Sequence, residues 1–214
     1  MLDVHFVILG AAIGALGAAA YLRDTLRGDT QPNRVTWLLW ATAPLLAFAV
    51  ELNEGVGLRS LMTFVVGFFP LLIFLASFRN PKSVWRISRL DYVCGALSVA
   101  GLAAWLVTRH GTVALVAAVA ADALAAVPTV LKSWRYPETE TAAAYLAAAV
   151  NAAITLLTVE RATLAELAFP VYIVTVATME TVLVAGRVGP RLGVRRTTAR
   201  GRSRPDDRST IRGG

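Results

Sequence analysis

Seven long apolar runs, separated by short charged stretches, constrain this chain more than any other feature. They cover about 4–22, 35–52, 61–78, 92–108, 112–131, 142–158 and 164–186. A helix of about 20 apolar residues crosses the hydrocarbon core of a bilayer, whereas a helix on a soluble core keeps a polar face. Charged residues make up 16% of the chain, far below the roughly 25% of soluble domains. In lipid every backbone polar group must find a partner within the protein, which favours helices. The chain therefore reads as an all-α polytopic membrane protein with the lipid bilayer as its first partner.

The charges predict an orientation. Ala18-Ala19-Ala20 resembles a signal-peptide cleavage site, but Asp3 and no Lys or Arg precede the first run. A secretory signal needs a positive start, so the run is expected to be retained, with its N-terminus outside. The inner loops then hold Arg23, Arg27 and Arg34; Arg79, Lys82, Arg86 and Arg89; and Lys132 and Arg135, and the tail from Arg187 adds nine arginines. The outer side keeps Arg59, Arg109 and Arg161, beside Glu51, Glu54, Glu160 and Glu166. This alternation satisfies the positive-inside rule and puts the C-terminus inside. The net charge of +7 sits mostly in the tail, which reads as a determinant of orientation, with no nucleic acid implied. Residues 188–214 are rich in Arg, Gly, Ser and Asp and are expected to be disordered; anionic lipid heads are the partner such a polybasic tail would attract. Nearly all basic residues are arginine and alanine is abundant. That is the look of GC-rich bacterial coding, and the expected location is the bacterial plasma (inner) membrane.

One short pattern occurs twice. Gln31-Pro32-Asn33-Arg34 leads into a helix bearing Trp37 and Trp40; Tyr136-Pro137-Glu138-Thr139-Glu140-Thr141 leads into one bearing Tyr145. Pro137 lies 105 positions after Pro32, and the same offset carries Trp40 onto Tyr145. Phe69-Pro70 recurs 100 positions on as Phe169-Pro170. Runs one to three thus map onto five to seven, and the fourth has no counterpart. The predicted plan is a first three-helix bundle (1–78), a basic loop with a linker helix (79–108), a second three-helix bundle (109–187) and the basic tail (188–214). A single linker helix restores the orientation, so the two triples would be parallel repeats about an axis along the membrane normal.

This 3+1+3 plan, with the N-terminus outside and the C-terminus inside, resembles the SWEET and SemiSWEET sugar transporters and the wider PQ-loop superfamily, over about residues 4–186. The family's Pro-Gln pair falls on Pro128-Thr129, with threonine in place of glutamine, and near Ala20-Tyr21 in the first copy, without a proline. The resemblance implies alternating access, in which two bundles rock around a central site that takes a small polar solute, most simply a sugar. It also implies hinges, for which Pro70, Pro128 and Pro170 are candidates because proline removes a backbone hydrogen bond and lets a helix bend. Pro44, which maps onto Ala149, reads as an ordinary membrane-helix proline.

Asp122 is the most informative single residue. It stands midway along the fifth run, where a carboxylate costs about 2.5–3.5 kcal/mol on insertion scales. It should face the bundle interior as a substrate or proton site or as a hydrogen-bond anchor between helices. Trp40, Tyr145 and Asn151 add ring faces and an amide of the kind that hold a polar solute, with Thr175 and Thr178 as further polar candidates. Trp37, nearer its helix end, reads as an interface anchor, and Glu180 as a carboxylate snorkelling to the inner surface. Gly10 and Gly14 form a GxxxG packing stripe. His5, His110 and Cys94 make no metal constellation; no phosphate loop or nucleophile elbow is present and the seventh run has no Schiff-base lysine, so no cofactor, metal or enzymatic activity is expected. Three readings remain: a transporter or facilitator, a proton-coupled amino-acid-type relative, and a non-transporting scaffold or regulatory partner. They differ at the centre, where a transporter needs a cavity lined by Asp122, Trp40 and Asn151 and a scaffold would be filled with apolar side chains.

Overall fold

Residues 2–79, 85–108 and 111–193 are described by the computed structural model. Among them are helices α1 (Phe6–Arg27), α2 (Arg34–Asn53), α3 (Ser60–Ala76), α4 (Arg89–Thr108), α5 (Gly111–Arg135), α6 (Ala142–Leu157), α7 (Leu164–Gly186) and a short α8 (Val188–Arg191), and no strand. Among the described residues five helical stretches are long and apolar enough to cross a membrane: α1, α2, α3 with its leading turn (Gly57–Ala76), most of α5 (Leu115–Arg135) and α7. The 16 residues of α6 are apolar but span only about 24 Å. Lys82, Arg109, His110 and the tail from residue 194 lie outside the described residues.

Local chemistry sets the helix ends. α1 runs five residues past its apolar run and stops at Gly28, which adopts φ 84° and closes the last turn on the Asp24 and Thr25 carbonyls. Asn33 starts α2: its Oδ1 accepts from the Val35 and Thr36 amides at 3.1 and 3.4 Å. The Asn33 Nδ2 donates to Asp91, which is buried in the first turn of α4. The Pro-Asn pair thus caps one helix and ties down another. Thr163 caps α7 by accepting from the Glu166 amide. The tail departs from the expected disorder at its start. In α8, Gly189 lies against the Trp134 carbonyl, so close that a Cβ there would stand 1.8 Å from that oxygen.

Large apolar side chains point outward, among them Leu16, Leu75, Leu146 and Val182, while Thr36, Asp122, Asn151 and Glu180 are buried. This reverses the usual distribution of a soluble domain and suits a lipid surround. α3 lies between α1 and α2, and α7 between α5 and α6. The two groups meet where α1 runs along α6 and α2 along α5; α4 packs on α5 and, more lightly, on α2. Glycines permit the α1–α6 approach. A Cβ on Gly17 would stand 2.3 Å from the Ala147 Cβ, and Cβ atoms on Gly10 and Gly14 would each come within 2.9 Å of the Asn151 amide. The stripe read from the sequence as packing therefore also seats a candidate site residue.

Candidate functional site: a cavity between the helix groups

A cavity of about 90 Å³ opens where α1, α2, α3, α5, α6 and α7 converge; its described lining residues include none from α4. It has room for several waters or a small solute. Asp122, Trp40, Tyr145 and Asn151, each predicted from the sequence, line it together, as does the predicted hinge Pro70. Pro128 and Pro170 are buried within continuous α5 and α7 and do not line it. Thr175 and Thr178 are exposed on the far faces of α7, and the Thr175 hydroxyl donates to the Val171 carbonyl at 2.8 Å.

Two residues stand differently from expectation. Glu180 does not snorkel: it is fully buried and lines the cavity. Helical spacing explains this, because Phe169, Ile173, Ala177, Glu180 and Val184 form the buried stripe of α7. That periodicity was the available signal, outweighed by Glu180's nearness to the helix end. Trp37 is buried in the cavity wall and no surface anchor. It joins a closed ring of aromatics: Tyr21–Trp37 at 4.5 Å between centroids, Trp37–Trp40 at 5.4 Å, Trp40–Tyr145 at 6.4 Å and Tyr145–Tyr21 at 6.4 Å. Trp40 and Tyr145, equivalent under the 105-residue offset, meet edge to face.

The polar atoms in the wall are mostly unpaired. Both Glu180 oxygens, Asp122 Oδ1, both ends of the Asn151 amide and the indole nitrogens of Trp37 and Trp40 are buried without a protein hydrogen-bond partner. Tyr172 stands near Asp122, and Ser133 near Glu180, in electrostatic reach but outside hydrogen-bond geometry. A buried polar group left unpaired costs roughly 1–3 kcal/mol, and several converging on one space mark a place for polar matter.

Beneath the aromatic ring lies a network the sequence reading did not anticipate. Glu140, in the second Pro-loop just before α6, accepts from the Tyr21 hydroxyl at 2.8 Å, the Tyr145 hydroxyl at 2.7 Å and the Lys132 ammonium at 2.5 Å. Lys132 also donates to the Gln31 carbonyl and lies 5.0 Å from the Trp85 ring centre. The two Pro-loops are joined directly, Gln31 N donating to Thr139 O at 3.1 Å. Thr36 and Thr141, again equivalent under the offset, each reach across: to Ala125 O on α5 and to Asp24 Oδ2 on α1, both at 2.9 Å. At the opposite end Arg59 donates to Thr158 O at 3.0 and 2.6 Å and stands 3.5 Å from Glu160. Polar ties thus cross between the helix groups both above and below the cavity. Among the described residues no group of His, Cys, Asp and Glu could hold a metal ion. No family model, curated protein or solved structure matches the chain.

Proposed function

We propose that this protein is a membrane transporter or facilitator that moves a small polar solute by alternating access, with α1–α3 and α5–α7 as two related bundles and α4 as the linker. The observation that carries this reading is the cavity lined by Asp122, Trp40 and Asn151 at the meeting of the two bundles. A scaffold of the same helices would gain by filling that space with apolar side chains, since burying unpaired polar atoms is costly. The ties at the two ends supply what such a cycle requires: interactions that close one side and are released when the other closes. In this reading the Glu140–Lys132 network shuts the end bearing the Pro-loops and Arg59 the end bearing the short α2–α3 and α6–α7 connections. Pro70, Pro128 and Pro170 are the places where α3, α5 and α7 would bend. The pairing of α1 with α6 and α2 with α5, and the equivalent roles of Thr36 and Thr141, support two copies of one unit. The charge distribution supports an outside N-terminus, and the arginine- and alanine-rich composition a bacterial plasma membrane.

The test is counterflow uptake by purified protein in liposomes, against a panel of sugars, amino acids and small amines. Saturable uptake that is lost in Trp40→Ala and Asn151→Leu supports transport through this cavity. Absence of uptake and exchange for every class, by protein shown to be folded, leaves the scaffold reading in its place.

A further inference from the structure

We infer that the solute held in this cavity is a small organic cation, an amine without a carboxylate, bound between the Asp122 and Glu180 carboxyl groups and the faces of the Trp37–Trp40–Tyr145 aromatic ring. The inference rests on the transporter reading and names its substrate class. Two acidic side chains line the cavity, and none of its lining residues is Lys, Arg or His. Asp122 is 2% exposed and Glu180 fully buried, and three of their four oxygens are without a hydrogen-bond partner. Lys132, the cation that acts on Glu180, is already committed to Glu140, the Gln31 carbonyl and the Trp85 face. Around Asp122 and Glu180 the remaining polar neighbours, Tyr172, Ser133 and Asn151, carry no positive charge.

Charge and lining together choose among solutes. A buried carboxylate is stabilised by an opposite charge more than by a neutral hydroxyl. Aromatic faces attract ammonium groups through the ring quadrupole. A hard metal ion would need six or more oxygen ligands, and this wall is largely aromatic and aliphatic. An amino acid or other carboxylate would bring a negative charge beside Asp122 and Glu180 with no basic group to receive it.

Binding is measured on the full-length protein in nanodiscs, through tryptophan emission, which Trp37 and Trp40 place at the site, and through thermal shift. The probes are putrescine and ethanolamine, their neutral counterparts 1,4-butanediol and ethylene glycol, glycine, and glucose. Each amine is expected to bind saturably and at least tenfold more tightly than its diol, with glycine and glucose weaker than either amine. Glu180→Gln and Asp122→Asn should each reduce amine affinity about tenfold and leave diol binding unchanged. Diols or glucose binding as tightly as the amines would overturn the inference, as would an absence of amine binding. Should the substituted proteins not fold, the wild-type comparison of amine with diol decides by itself. Uptake of glucose without amine binding would overturn the cation inference and leave the transporter reading standing; no uptake of any solute class would remove both.

Discussion

The Lys132–Glu140 pair allows the sharpest energetic prediction. Its side chains are 1% and 0% exposed and 2.5 Å apart. Removing one member of a buried ion pair leaves the other charge uncompensated, at a cost of about 3–5 kcal/mol. Glu140→Gln keeps the size and an oxygen that can take the place of Oε2, which accepts both tyrosine hydroxyls, but leaves the Lys132 ammonium with a carbonyl and a ring face alone. Lys132→Met leaves the Glu140 carboxylate with two hydroxyl donors and no cation. For a chain of this length about 2–4 °C of melting temperature accompanies each kcal/mol, so each single change should lower Tm by about 6–20 °C. The double substitution removes both charges together and should recover about 1–3 kcal/mol relative to the summed singles. Thermal unfolding of the four proteins in one detergent measures the cycle. Additivity within about 0.5 kcal/mol, or a single substitution that moves Tm by less than about 2 °C, would refute the view that this pair holds the Pro-loop end together.

Gly17→Val should lower Tm by about 2–12 °C, the shift that accompanies roughly 1–3 kcal/mol of overpacking, because even its Cβ would stand 2.3 Å from Ala147. Leu16→Ala, on the outward face of the same helix, should change stability by no more than about 0.5 kcal/mol; equal shifts for the two would contradict the α1–α6 packing. Asp122→Asn should fold, move solute more slowly and lose the pH response of uptake. A normal rate with an unchanged pH response would assign Asp122 a purely structural role. Epitope tags at the two ends, tested with protease on spheroplasts, should show the N-terminal tag cut and the C-terminal tag protected; the opposite pattern would reverse the charge-based orientation.

Much of this protein was legible in the sequence because a bilayer imposes a simple rule. A run of apolar residues long enough to span lipid has to be helical, so the all-helical character and the approximate helix positions follow from composition along the chain. A carboxylate midway along such a run has to face inward, which singled out Asp122, and matched loop residues brought Trp40 and Tyr145 forward as a pair. Helix ends depended on single residues that hydropathy does not register, such as the left-handed Gly28 and the side-chain cap of Asn33.

Other features came into being only when the helices packed. Glu180 and Trp37 lie near helix ends, and depth along one helix favoured a surface position for each. Their neighbours are on other helices, so only the assembly could decide that both face a shared cavity. Thr175 and Thr178 failed for the complementary reason: a turn of about 100° per residue carries them away from the stripe that α7 buries. The Tyr21–Glu140–Lys132–Tyr145 network was least visible, since it joins α1 to the second Pro-loop across 119 residues of chain. A sequence specifies which groups cannot remain alone in lipid; the tertiary structure alone decides which distant group each one meets, because that choice depends on where glycines let two helices touch.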